Sequence, residues 1–133
     1  MHAQLNARIN RRLQAHSDLS LADFSVLVAL TDRPDARVRY AELAQSLQWA
    51  KSRLSHHIAR MTKRGLVDRQ ECPQDGRGAF VVLTPEGRRV IEQAAPQHVE
   101  TVRELFLDHL TTEQIETLRA ISEQVLSRLD VDG

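Results

Sequence analysis

One amphipathic segment constrains the fold of this chain more than any other. In residues 51–64 the apolar side chains Leu54, Ile58 and Met61 recur at positions i, i+4 and i+7, and the positions opposite them are polar or small. This spacing places the three side chains on one face of a helix. Gly65 follows, and glycine is favoured just past a helix end because the chain there takes a left-handed conformation.

The neighbouring segments predict a helix-turn-helix with a hairpin attached. Residues 40–47 carry apolar side chains at helical spacing and are separated from the next helix by a short break. Residues 66–71 alternate loosely and residues 80–84 form an apolar β-branched run, with Pro, Asp-Gly and Gly in the loop between them. A short strand is expected at Val38 and Tyr40. The predicted order is strand, helix, turn, helix and a two-stranded β wing.

Composition and the flanking segments predict a single mainly α (α+β) domain. Aromatic side chains make up only 4% of the 133 residues, and the abundant residues favour helices. Amphipathic spacing predicts a first helix over residues 2–16, and Ser20, Thr84 and Thr111 are expected to cap the helices that follow them. Pro96 is expected to kink or split the helix that begins after Thr84.

The sequence argues against a membrane protein and against a disulfide-bonded one. No run approaches the roughly 20 consecutive apolar residues that cross a bilayer, and the first residues lack the apolar centre of a signal peptide. The single cysteine, Cys72, cannot form an internal disulfide. We therefore expect a cytoplasmic protein.

Charge is distributed unevenly along a chain whose formal net charge is zero. Residues 37–89 contain eleven Lys or Arg and five Asp or Glu, a surplus of six positive charges, and the two flanks hold the matching negative surplus. A positive surplus of this kind is typical of a surface that binds a polyanion, although it also fits an ordinary solvated surface. The arrangement of individual side chains along the helices has to distinguish a polyanion-binding surface from an ordinary solvated one.

The polar face of the helix over residues 51–64 carries side chains suited to DNA. The major groove admits one α-helix, and Arg53 and Arg60 could each pair with O6 and N7 of guanine. Phosphates are the expected partners of Lys51, Lys63 and Arg64 near the helix ends. Arg77, between two glycines, has the reach to enter a minor groove. The shorter candidate readers of base edges are Ser52, Ser55, His56 and His57.

Two motifs carry a resemblance to a known family. They are KSRLSHHIARMTKRGLVDR, the helix and its exit into the hairpin, and the pair Asp75 and Arg77 followed by LTPEG. Together with LSLADFSVLVAL before them, they resemble the winged helix-turn-helix core of the MarR family of bacterial transcriptional regulators. The flanking helices fall where that family forms its dimer interface, so the resemblance covers nearly the whole chain.

The resemblance implies a homodimer that binds a pseudo-palindromic operator in double-stranded DNA as a repressor, with no enzymatic activity and no cofactor. Arg77 would enter the minor groove and Asp75 would brace it. The implied division is into dimerisation helices, residues 1–19 and 85–133, and a DNA-binding lobe, residues 20–84. Many members bind a small aromatic or lipophilic effector in a cleft between these regions, and the effector usually weakens DNA binding.

The chain departs from the family pattern in three places. Only about twenty residues precede LADF, so the first helix is short and one wall of an effector cleft is expected to be reduced. Pro96 interrupts the long helix. Trp49-Ala50 stands where the family commonly has Leu or a similar residue followed by a capping residue, which predicts a shifted start for the helix over residues 51–64.

Other interpretations fit parts of the sequence. A winged helix could dock another protein without recognising an operator, but protein docking gives no reason for the positive centre. Cys72, near basic residues that favour a reactive thiolate, could make the chain a redox-sensing regulator. Catalysis by Ser55-His56-His57 is not predicted, because consecutive helical residues point about 100° apart and no nearby carboxylate orients either imidazole. A metal site is not predicted either, because adjacent helical histidines rarely chelate one ion.

Overall fold

A computed structural model of the chain describes residues 1–71 and 78–132. The predictions for Cys72, Asp75 and Arg77 lie outside the described residues. The elements in chain order are α1 (His2–Ser17), α2 (Leu21–Thr31), β1 (Arg37–Arg39), α3 (Tyr40–Leu47), α4 (Lys51–Lys63), β2 (Val67–Glu71), β3 (Ala79–Leu83), α5 (Pro85–Leu105), a 3-10 turn (Leu107–His109) and α6 (Thr112–Asp132).

The predicted helix caps are confirmed. The Ser20 hydroxyl accepts a hydrogen bond from the N–H of Asp23, and the Asp23 carboxylate accepts one from the N–H of Ser20, which together form a capping box at the start of α2. At the start of α5 the hydroxyl of Thr84 accepts a hydrogen bond from the N–H of Gly87 at 2.9 Å. Thr111 caps α6 in the same way. Local side chains therefore set where these helices begin.

Two details differ from the predictions. Tyr40 is the first residue of α3 and does not continue β1. Pro96 does not split α5, which runs unbroken from Pro85 to Leu105; Pro96 is exposed, so water can replace the hydrogen bond that proline cannot donate. α4 begins at Lys51, as the residue spacing predicts, and its N-cap Ala50 makes no side-chain hydrogen bond.

The predicted hairpin is part of a three-stranded antiparallel sheet in the order β1, β3, β2. In its register Val38 of β1 lies opposite Val81 of β3, and Val67 of β2 lies opposite Leu83. Alternate residues of the central strand β3 are buried, so one face of the sheet packs on the core. The hairpin is thereby attached to the helix-turn-helix.

A continuous apolar core joins the sheet to α2, α3 and α4. α1 packs against α5, and Ile9 and Leu13 of α1 reach the same core as Ile91 and Ala94 of α5. α6 projects from this body, and every residue from 116 to 130 is exposed. The largest fully buried side chains are Leu19, Val26, Leu27, Leu30, Leu43, Leu54, Ile58, Met61, Val67 and Val81.

Candidate nucleic-acid interface

Helix α4 has one buried face and one exposed basic face. Leu54, Ile58 and Met61 are at most 1% exposed and anchor the helix to the core. The exposed side chains that were predicted to contact DNA are Lys51, Ser52, Arg53, Ser55, His56, Arg60 and Lys63. Seven of the eight side chains of α4 that were predicted to contact DNA therefore share the solvent side of one helix.

His57 is the exception, because its side chain is buried and only 8% of the residue is exposed. Its Nε2 lies 2.7 Å from Oδ1 of Asp23 in α2, and its Nδ1 lies 3.1 Å from a guanidinium nitrogen of Arg60. Because a guanidinium can only donate, Nδ1 accepts the hydrogen bond and the ring proton is on Nε2, the atom beside Asp23. His57 thus connects α4 to α2 and does not lie with the other predicted readers.

The sequence contains a signal for this inward position. His57 is three residues after Leu54 and four before Met61, so it falls on the apolar face by the same spacing that identifies the core residues. The sequence interpretation placed it among polar neighbours and found no nearby carboxylate for it. The structure supplies that carboxylate from Asp23, which is distant in the chain.

Asp23 is the centre of a buried polar cluster. Besides capping α2 and contacting His57, it accepts a hydrogen bond at 2.9 Å from Arg64 at the end of α4. Burial by itself raises the pKa of the Asp23 carboxyl, but hydrogen bonds from His57, from the N–H of Ser20 and from Arg64 outweigh burial and hold that pKa well below its usual range. The carboxylate is therefore ionised and ties both the middle and the end of α4 to α2.

Arg64 was expected to contact a phosphate, and the structure gives it intramolecular partners. Its guanidinium bridges the Asp23 carboxylate and the backbone carbonyl of Asp18, just after α1. The sequence interpretation did not identify Asp23 as part of the site. Its S-x-x-D capping pattern predicts a carboxylate at the helix start but not the partners that reach it from α4.

Aromatic rings hold several basic side chains near α4 and the sheet. The guanidinium of Arg53 lies 4.2 Å from the ring centre of Trp49, and that indole also contacts the ring of His57 at 5.3 Å with an interplanar angle of 76°. In the sheet, the guanidinium of Arg37 lies 4.4 Å from the ring centre of Phe80. Each distance is short enough for a cation–π interaction.

The structure offers no arrangement that favours catalysis by the Ser55-His56-His57 triplet. Ser55 and His56 are exposed, and Nδ1 of His57 is occupied by Arg60, so no serine hydroxyl hydrogen-bonds to that nitrogen. Among residues 1–71 and 78–132, no three His, Cys, Asp or Glu side chains lie together as a metal site requires. Over the same ranges, no helix has both the length and the apolar character needed to span a membrane.

An apolar groove lies between the flanking helices and not beside the DNA-binding lobe. Its volume is about 740 Å³, and it lies between the first half of α1 and the end of α5 with the turn that follows. Apolar walls come from Leu5, Leu105, Phe106 and Leu110, with Arg8 among the polar lining residues. Such a lining suits an apolar group, either of a ligand or of another polypeptide.

The helix pair α3–α4 and the hairpin β2–β3 define a winged helix-turn-helix protein. Residues 17–78 match the family model described as MarR family. The chain is 32% identical over 110 residues to the transcriptional regulator HosA of Escherichia coli O111:H-, covering 83% of this chain and 79% of HosA. The chain belongs to the MarR family of transcriptional regulators.

Two further relatives agree in sequence and in structure. The transcriptional repressor MprA of Escherichia coli strain K12 is 25% identical over 130 residues, which cover 98% of this chain and 73% of MprA. The crystal structure of Sco3205, a MarR family transcriptional regulator from Streptomyces coelicolor in complex with DNA, superimposes with a TM-score of 0.89 at 39% identity. That similarity covers 96% of this chain and 83% of Sco3205.

Proposed function

We propose that this chain is a dimeric, sequence-specific DNA-binding transcriptional repressor that acts in the cytoplasm. The observation that carries the proposal is the exposed basic face of α4, which is backed by three core side chains and tied to α2 through Asp23. Such a helix fits the major groove. The DNA complex of the relative Sco3205 supports the same use of the fold.

The exposed residues of α4 have two proposed roles. Arg53 and Arg60 read base edges, and Ser52, Ser55 and His56 are shorter readers beside them. Lys51 and Lys63 contact phosphates, which set the register of the helix without carrying sequence information. Arg77 in the minor groove, braced by Asp75, stays part of the proposal as the resemblance implies it.

Dimerisation is proposed through residues 1–19 and 85–133, with residues 20–84 as the DNA-binding lobe. The supporting observation is an apolar stripe on α6 that is left open to solvent in the single chain. Exposed apolar surface of this extent marks an interaction site in soluble proteins. The stripe consists of Leu118, Ile121, Val125, Leu126 and Leu129, each between 41% and 60% exposed.

Binding to DNA at two salt concentrations tests the proposal. The purified protein is titrated with the intergenic DNA beside its own gene at 50 and 200 mM salt, with nonspecific competitor present. A dimer that contacts six or more phosphates should lose about a thousandfold in affinity between these conditions. Lys63→Ala should reduce the salt slope by about one for each phosphate contact removed. No complex at low salt would favour a protein-docking module instead.

We also propose that a small aromatic or lipophilic effector modulates DNA binding. The apolar groove at α1 and the end of α5 supports this, because its walls suit such a ligand. An effector can act only through unequal affinity for the DNA-competent and DNA-incompetent states of the dimer. Adding salicylate, a simple aromatic acid, to the preformed complex tests one member of this class. Release of DNA by salicylate from the parent but not from Leu5→Lys would support this groove.

A further inference from the structure

The two arginines that are proposed to read bases, Arg53 and Arg60, differ from neighbouring arginines in the groups that their guanidinium contacts. Within the described ranges 1–71 and 78–132, no carboxylate forms an ion pair with Arg53 or Arg60. Four other arginines of the lobe form ion pairs with a nearby acid. These pairs are Arg33 with Glu42, Arg37 with Asp35, Arg64 with Asp23 and Arg69 with Glu71.

Neutral rings take the place of carboxylates at these two arginines. The guanidinium of Arg53 stacks over Trp49 at 4.2 Å, and that of Arg60 donates to Nδ1 of His57 at 3.1 Å. A carboxylate would cancel the positive charge and would have to be displaced before the arginine could bind DNA. The Trp49 ring restrains Arg53 through its face, so the charge and the N–H groups of that guanidinium stay available. His57 occupies one N–H group of Arg60 and leaves the charge and the other N–H groups of that guanidinium available.

Trp49 is itself fixed by the turn between α3 and α4. Its backbone N–H donates to the carbonyl of Ala44 at 2.9 Å, and its side chain packs against the core. The indole and the His57 ring also make an edge-to-face contact. Trp49 is therefore a rigid support under Arg53, and the ordering of the arginine side chain is in part complete before DNA arrives.

We propose that Trp49 is a positioning residue that sets base specificity by holding the Arg53 guanidinium toward the major groove. This inference rests on the proposed function. Trp49 acts through Arg53, so it changes the preference at the one base pair that Arg53 reads. Phosphate contacts made by other residues are unaffected.

The experiment begins by selecting the preferred site from random DNA, so that the operator sequence need not be known. The parent protein is used to select duplexes from a pool with a randomised central segment. The base pair whose preference disappears in Arg53→Ala is assigned to Arg53. Affinity is then measured for two duplexes, the selected one and the same duplex changed at that base pair. The proteins compared are the parent, Trp49→Leu, Trp49→Phe, Arg53→Ala and the double variant Trp49→Leu/Arg53→Ala.

Trp49→Leu should reduce discrimination at that base pair by about two- to fivefold, the size of one exposed cation–π contact. Trp49→Phe keeps an aromatic face and should recover most of the loss. In the Arg53→Ala background, Trp49→Leu should cause no further loss of affinity for the selected duplex, because the group through which it acts is gone. The salt slope should match that of the parent in every Trp49 variant.

A second measurement needs no DNA. Trp49 is the single tryptophan of the chain, so the tryptophan fluorescence of the protein comes from this residue alone. Arg53→Ala uncovers one face of the indole and should increase quenching by acrylamide, whereas Arg103→Ala on α5 should leave quenching unchanged.

Three outcomes would overturn the inference. Discrimination by Trp49→Leu could equal that of the parent, or its loss could be the same at every base pair, or Trp49→Leu could weaken binding to the selected duplex as much in the Arg53→Ala background as in the parent. The last two would indicate a general structural role. Failure of the proposed function is distinguishable, since the parent itself would then select no duplex and show no salt-dependent binding.

Discussion

Nε2 of His57 lies 2.7 Å from Oδ1 of Asp23, and this contact joins the middle of the helix proposed to read DNA to the first turn of α2. Arg64 reaches the other carboxylate oxygen at 2.9 Å from the end of the same helix. Two attachment points along α4 restrain its rotation and its tilt. The orientation of the base-reading face therefore depends on a carboxylate that makes no contact with that face.

Asp23→Asn should lower the free energy of unfolding by about 2 kcal/mol at pH 7, because the hydrogen bonds of a buried charged group are lost. The folded state holds the pKa of Asp23 below its ordinary value of 3.8, so this stabilisation is complete above about pH 4 and is lost as the pH falls further. The difference between parent and variant should thus shrink below pH 4. Urea denaturation over a pH series measures this difference in the free energy of unfolding.

Asp32 is an exposed carboxylate after the same helix, so Asp32→Asn should change stability by less than about 0.5 kcal/mol. Equal effects of the two substitutions would contradict the buried polar cluster around Asp23.

Arg53→Ala and Arg60→Ala should each relax base preference at one position in each half-site. A bidentate arginine–guanine pair contributes about 1–3 kcal/mol of discrimination, so the preference there should fall by about 5- to 150-fold. Competition titrations with single-base variants of the selected duplex measure the effect. Arg103→Ala removes an equal charge from α5 and should leave every position unchanged. Parent-like preference in both α4 variants would show that α4 does not read the bases.

Leu129→Glu should dissociate the proposed dimer. Leu129 is 60% exposed in the single chain, and burying a leucine contributes about 1.5–3 kcal/mol. Two-fold symmetry places the substitution in the interface twice, so the dimer dissociation constant should rise about a hundredfold or more. Sedimentation equilibrium measures it. Ser127→Glu adds the same charge on the opposite side of α6 and should stay dimeric; a dimeric Leu129→Glu protein would place the interface elsewhere.

Gly87→Ala should destabilise the protein although alanine is the better helix former. Gly87 lies in the first turn of α5, where an added Cβ would overlap the backbone carbonyl oxygen of Leu66 and lie 2.9 Å from Cδ1 of Leu83. Such overpacking costs about 1–3 kcal/mol, which exceeds the gain of about 1 kcal/mol in helix propensity. Thermal unfolding measures the sign directly. Gln97→Ala, at an exposed position of the same helix, is the control, and a Gly87→Ala protein at least as stable as the parent would refute the close approach.

Much of the fold and part of the candidate site could be predicted from local patterns. Ser20, Thr84 and Thr111 mark helix starts because their side chains bond to backbone groups two or three residues away. The buried face of α4 follows from the 3.6-residue period of the helix. The prediction failed at His57, because a polar residue on an apolar face is satisfied only by a partner that the local sequence does not contain.

The sequence by itself determined the order of elements, the hairpin and the exposed basic face of α4, because those depend on residues within a few positions of each other. Only the tertiary structure decided that Asp23 meets His57 and Arg64, and that α5 approaches the chain near Leu66 closely enough to require Gly87. It also decided that the core keeps Trp49 under Arg53. These contacts depend on where separate elements pack, and packing follows from how the whole apolar core fills space.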